Sequence, residues 1–146
     1  MNSFNFKQYR MNPDREVLVS RHKVRSYECD AYRHVNNAVY LNYLEFARQE
    51  ALEQKGFDLV RLQDNGMQVV IHQIQIQFLK PLRTGDTIEI RTQLASHRRV
   101  SGIFYQEIVR QSDDRVCARA AVTWVFTNAE GRPIPIPQEV IRAFAR

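Results

Sequence analysis

Asp30 and His34 stand four residues apart in the polar run Cys29-Asp30-Ala31-Tyr32-Arg33-His34-Val35-Asn36-Asn37, and that run leads into the most apolar helical pattern of the chain. A helix start carries unpaired backbone N–H groups and a partial positive charge. A carboxylate, an imidazole and bare N–H donors gathered at one point can activate a water and polarise a carbonyl. The ordinary alternative for Asp30 is a loop acid that caps the helix, and catalysis outweighs capping here. His34 can orient Asp30 or the water, or bond the carbonyl. Equally, it can be a loop imidazole bonded to backbone. Asn36 and Asn37 suit turn and cap bonding. Cys29 adjoins Asp30, whose negative charge would raise a thiol pKa, so a nucleophilic role for it is disfavoured.

The helix that must position these groups spans about residues 38–55. Tyr40, Tyr43, Leu44, Ala47 and Ala51 follow the i, i+3, i+4, i+7, i+11 stripe of a buried face. The second half carries Arg48, Gln49, Glu50, Glu53, Gln54 and Lys55 and is expected to reach solvent. Lys55-Gly56 supplies a cation and then a glycine, a helix stop. Glu45, about two turns in, is a second candidate acid, with a surface ion pair as its plainer role.

Ahead of the turn, 16–27 reads as a strand. After the helix, 57–62 suits a short helical turn and Asn65-Gly66 a reversal. Four strands follow, at about 67–79, 87–95, 102–111 and 116–127. Alternation is clearest in Ile74-Gln75-Ile76-Gln77-Phe78. The Pro133–Pro137 stretch cannot be a central strand, since its prolines lack N–H donors. Residues 138–145 suit a terminal helix. One sheet face needs cover and one long helix is available, so the expected architecture is α+β: an antiparallel sheet of about five strands wrapped around one central helix.

The chain has 146 residues, which suits one domain, expected over 16–146 behind a flexible tail at 1–15. The tail lacks the apolar core of a secretory signal. No run approaches the roughly 18 apolar residues of a membrane span, and a cytoplasmic location is expected. Cys29 and Cys117 read as reduced thiols. No spacing suggests a zinc site. A net charge of +5 fits an anionic partner, whether cofactor phosphates, an acidic carrier protein or nucleic acid. The strand Ile103-Phe104-Tyr105 does not match the usual RNA-binding pattern, and no nucleic-acid partner is expected.

Three runs carry a family resemblance: Asp30-x-x-x-His34-Val35-Asn36-Asn37-Ala38-x-Tyr40, then Phe78-Leu79-Lys80-Pro81-Leu82-Arg83-x-Gly85-Asp86, then Trp124-Val125-Phe126 with Gly131-Arg132-Pro133. Over about residues 24–140 the chain resembles the hotdog-fold acyl-CoA and acyl-ACP thioesterases of the 4-hydroxybenzoyl-CoA thioesterase-like group. The resemblance implies hydrolysis of an acyl-CoA or acyl-ACP thioester with no cofactor beyond the thioester substrate itself. It implies Asp30 as general base or nucleophile, with His34 and Asn37 completing the catalytic set. The oxyanion donor falls at the Asn37 N–H, with the Ala38 N–H as neighbour. Tyr40, Asn36 and Ala38 are the implied substrate contacts. A homodimer or homotetramer with sites at the subunit interface is also implied. One departure stands out: many relatives carry Gly where this chain has Arg33, which alters the turn or brings a cation to the pocket mouth. The competing readings are an enoyl-thioester hydratase of the same fold, which would need one more residue before the His and a second acid, and a non-catalytic acyl-CoA- or RNA-binding module.

Overall fold

The computed structural model describes residues 5, 6 and 9–145. Among them the order is β1 (Leu18–Lys23), a 3-10 turn (Ser26–Glu28), α1 (Asn37–Gln54), α2 (Leu59–Asp64), β2 (Met67–Phe78), β3 (Thr87–His97), β4 (Ser101–Arg110), β5 (Arg115–Asn128) and α3 (Gln138–Phe144). The strands form one antiparallel sheet in the order β1-β3-β4-β5-β2. The first strand is shorter than the expected 16–27, because the chain leaves the ladder at Val24 and tightens into the turn that leads to Asp30.

The long helix α1 lies on the concave face. Tyr40, Tyr43, Leu44 and Ala47 pack in one buried cluster with Ile88, Ile90, Ile108, Ala118, Ala120 and Val122. Ala118 and Ala120 are small, so the two tyrosines can enter the sheet face without forcing the helix away. A second cluster closes the far end, where Leu52, Leu62, Phe104, Trp124 and Phe126 meet Ile136, Val140 and Phe144. The Pro133–Pro137 stretch is no ladder strand. Only its isoleucines donate, Ile134 to the Phe126 carbonyl and Ile136 to that of Arg99, both at 2.9 Å.

Arg48 departs from expectation. It is buried rather than solvated, and its Nη1 donates to Gln106 Oε1 at 3.1 Å. Gln106 Nε2 in turn donates to the Leu44 carbonyl and to Thr92 Oγ1. Position 48 continues the 40-44 step of the buried stripe, so its face follows from the helical period. Burial pulls the Arg48 guanidinium down to about 10, against the field of Glu45.

The chain ahead of β1 lies on the convex face where it is described. Phe6 is buried with Tyr105 and Ala121, and Arg119 sits over its ring. Gln93 ties the segment down by accepting from the Asn12 N–H at 2.8 Å and donating to the Asn12 carbonyl. Among the described residues no helix is long and apolar enough to cross a membrane.

Candidate active site

The turn before α1 is built by its own side chains. The Asp30 N–H donates to the His34 carbonyl at 2.8 Å, and the Arg33 N–H to the Asp30 carbonyl at 2.9 Å. Asp30 Oδ1 accepts from the Tyr32 N–H at 2.9 Å and the His34 N–H at 3.3 Å. This is an Asx-type closure, which a short acid makes readily. Among the described residues nothing donates to Oδ2, so one carboxylate oxygen stays open for chemistry.

Asn36 is the N-cap of α1, and its Oδ1 accepts from the Ala38 N–H at 2.9 Å. That bond uses the Ala38 donor. The Asn37 N–H, at the first helical position, finds no acceptor among the described residues. Of the two expected oxyanion donors, Asn37 is therefore the one left free.

The next motif along the chain seats this turn. The Val35 N–H donates to the Leu82 carbonyl, and Leu82 is fully buried. Gly85 holds φ +90°, which a side chain would strain, and there it exchanges bonds with Val24: Gly85 N–H to the Val24 carbonyl, Val24 N–H to the Asp86 carbonyl. Two clefts result, and Asp30 and His34 line both. The first, about 260 Å³, is completed by Val35, Asn37, Tyr40, Phe78, Leu79, Lys80 and Pro81. The second holds Ser26, Cys29, Tyr32, Arg33, Arg83 and Thr84.

Tyr40 is buried and meets Phe78 edge-on at 5.0 Å. Burial raises its hydroxyl above the ordinary phenol range, so it serves as a wall and neutral polar group rather than an acid or base. The His34 ring turns to Arg83, at 3.4 Å between Nε2 and Nη2. A guanidinium only donates, so Nε2 accepts. Asn36 is held in the cap. Cys29 Sγ lies 3.3 Å from Thr84 Oγ1. Glu45 is remote from the turn and lines a small apolar cavity with Arg48, Leu52, Phe104 and Trp124. Phe78 and Leu79 are site walls that strand alternation alone does not mark, and of the scattered cations that could meet phosphates or simply face solvent, Lys80 and Arg83 line the clefts. Among the described residues no cluster of three or more His, Cys, Asp or Glu could hold a metal ion.

Glu28 anchors the entry to the turn. Its carboxylate accepts from the Arg25 N–H at 2.6 Å and lies 2.9 Å from His22 Nε2, and its carbonyl accepts from the Asn36 N–H. The Tyr43 hydroxyl lies near the same carboxylate without meeting hydrogen-bond geometry. Burial pushes Glu28 up, but the Arg25 N–H and His22 outweigh it and hold it below the usual carboxylate range. A lowered folded pKa gives stability that is complete above the unfolded value, near 4.5, and is lost as pH falls through the folded one. Glu28→Gln is expected to cost about 1 kcal/mol at pH 7. The gap in thermal midpoint between wild type and variant should narrow as pH drops below about 4.5. A gap that stays constant from pH 7 to pH 3 would rule out this role.

An antiparallel sheet of five strands wrapped around one long helix is the hotdog fold. A family model described as the thioesterase-like superfamily matches residues 24–144, and the chain belongs to that family. It is 36% identical over 103 residues to the long-chain acyl-CoA thioesterase FadM of Escherichia coli (strain K12), spanning 70% of this chain and 77% of that one. It is 32% identical over 118 residues to the chloroplastic acyl-acyl carrier protein thioesterase ATL2 of Arabidopsis thaliana, spanning 81% of this chain. The match takes in 63% of that relative, a little under two thirds of its length. The crystal structure of a hypothetical protein from Aquifex aeolicus shares the fold with a TM-score of 0.81 at 29% identity, over 86% of this chain and 98% of that one.

Proposed function

We propose that the protein hydrolyses acyl thioesters of coenzyme A or acyl carrier protein to the free acid and thiol. The observation that carries the reading is one cleft lined by both Asp30, whose Oδ2 has no donor among the described residues, and Asn37, whose N–H has no acceptor there, with Tyr40, Phe78 and Leu79 as walls. The thioester oxygen sits toward the Asn37 N–H, where negative charge develops as the carbonyl is attacked. Asp30 either removes a proton from the attacking water or attacks the carbonyl carbon to give an anhydride that water opens. In both routes the C–S bond breaks, and the thiolate leaves with its electron pair. Thiolate is a good leaving group, so these side chains suffice without a cofactor. His34 holds Asp30 through its backbone N–H, and its ring lies beside the Arg83 guanidinium.

β2 is a sheet edge, and Val70, Ile71, Phe78 and Leu79 on or just beyond it are exposed. Pairing with β2 of a second copy satisfies the open ladder and extends the cleft that Phe78 and Leu79 line. We therefore read the working form as at least a homodimer. Free Cys29 and Cys117 suit the reducing cytoplasm.

The test is thiol release from acyl-CoA across chain lengths, with the mass of the active species read by light scattering. Steady turnover by a species of at least twice the chain mass is expected. No thiol release from any acyl-CoA or acyl-ACP would end the hydrolase reading, and full activity in a monomer would end the dimer.

A further inference from the structure

A thioester has two ends, and Asp30 and His34 line two clefts at once. The first cleft offers the apolar walls Tyr40, Phe78 and Leu79 and a single cation, Lys80. The second offers Arg33 and Arg83 beside Ser26 and Thr84. Among the described residues neither guanidinium pairs with a carboxylate: the Asp86 carboxylate accepts from the Arg83 backbone N–H, the Arg83 Nη2 lies beside His34, and Asp30 is the one carboxylate lining that cleft. Two guanidinium groups against one carboxylate leave the open cleft with an excess of positive charge, a seat for an anion. Arg33 is also held at φ +65°, a conformation that glycine takes freely and a side chain does not. The turn itself needs no guanidinium there, since every bond that closes it comes from backbone groups and Asp30.

Resting on the thioesterase reading above, we propose that Arg33 and Arg83 bind the phosphate at the far end of the phosphopantetheine arm. That chemistry is common to coenzyme A and acyl carrier protein. The second cleft then takes the carrier and the first takes the acyl group. Arg33 acts on affinity for the carrier and leaves the reacting carbonyl to Asp30 and Asn37.

The experiment compares wild type, Arg33→Gly and Arg33→Lys on one acyl group carried as acyl-CoA, as acyl-pantetheine without phosphate, and as acyl-ACP. Glycine accepts φ +65°, so the turn persists in Arg33→Gly. The ratio of kcat/KM for acyl-CoA over acyl-pantetheine is expected to fall about three- to tenfold in Arg33→Gly, carried by KM. Arg33→Lys should retain most of it, and the wild-type ratio should fall with rising salt. A loss on both phosphate-bearing carriers supports the shared seat. A loss on one alone supports it with that carrier as the ligand. If both acyl-CoA and acyl-ACP keep their wild-type ratios to acyl-pantetheine in folded Arg33→Gly, the proposal is overturned while the hydrolase reading stands. A wild type that turns over none of the three overturns both.

Discussion

Asp30→Asn is expected to lower kcat for thioester hydrolysis by about 10³-fold while the protein stays folded. Asparagine keeps an Oδ1 that can accept from the Tyr32 and His34 N–H groups, so the Asx closure survives. What disappears is the negative charge on Oδ2, the one oxygen that no neighbour occupies. Neither the proton-abstraction route nor the anhydride route works without it. The Asn37 N–H remains in place, because it depends on the Asn36 cap rather than on Asp30. Residual activity therefore comes from binding and oxyanion stabilisation alone, with KM changing little. Asp30→Ala would remove the charge and the closure together, so it should add a loss of thermal stability of about 1 kcal/mol. Thiol release at the wild-type rate by folded Asp30→Asn would remove Asp30 from the chemistry.

The place of Asp30 was legible because its signals are local. The acid, the cap and the helix start lie within eight residues, and turn and helix rules act over that range. The four later strands were legible for the same reason, through alternation between turn signals. What the sequence hid depends on long-range packing. The Phe78–Asp86 motif reads as a strand end and a turn. It becomes part of the site only because Val35 pairs with Leu82, and Val24 with Asp86 and Gly85, across more than forty residues of chain. Arg48 looked solvated by residue type, yet the 40-44-48 step sets it against Gln106, and pattern outranks type where a polar partner waits in the core. The segment around Phe6 carries its apolar residues Phe6, Tyr9 and Met11 at neither helical nor strand spacing, so its docking on Tyr105 and Ala121 leaves no periodic trace.

Gly102→Ala is expected to be the most damaging small substitution in the sheet. Gly102 pairs directly with Trp124 across the β4–β5 ladder, and a Cβ built there would sit 2.3 Å from Trp124 Cζ2 and 2.7 Å from Cη2. Real atoms do not approach so closely, so the indole or the strand must move. The indole is fixed on both sides, by Phe104 at 5.4 Å and Phe126 at 5.8 Å between ring centroids. Overpacking of this kind costs about 3 kcal/mol, which for a domain of this size lowers Tm by about 6–12 °C. One escape exists: Trp124 lines the small cavity beside Arg48 and Leu52, and the ring could shift into it. Trp124→Phe separates the two outcomes, since the smaller ring vacates the space a Cβ needs. If the clash is the cause, Gly102→Ala in the Trp124→Phe background should cost about 1 kcal/mol or less, a coupling of about 2 kcal/mol between the positions. A Gly102→Ala protein that melts within about 2 °C of wild type would show instead that the cavity absorbs the ring, and that the glycine is there for some reason other than the tryptophan.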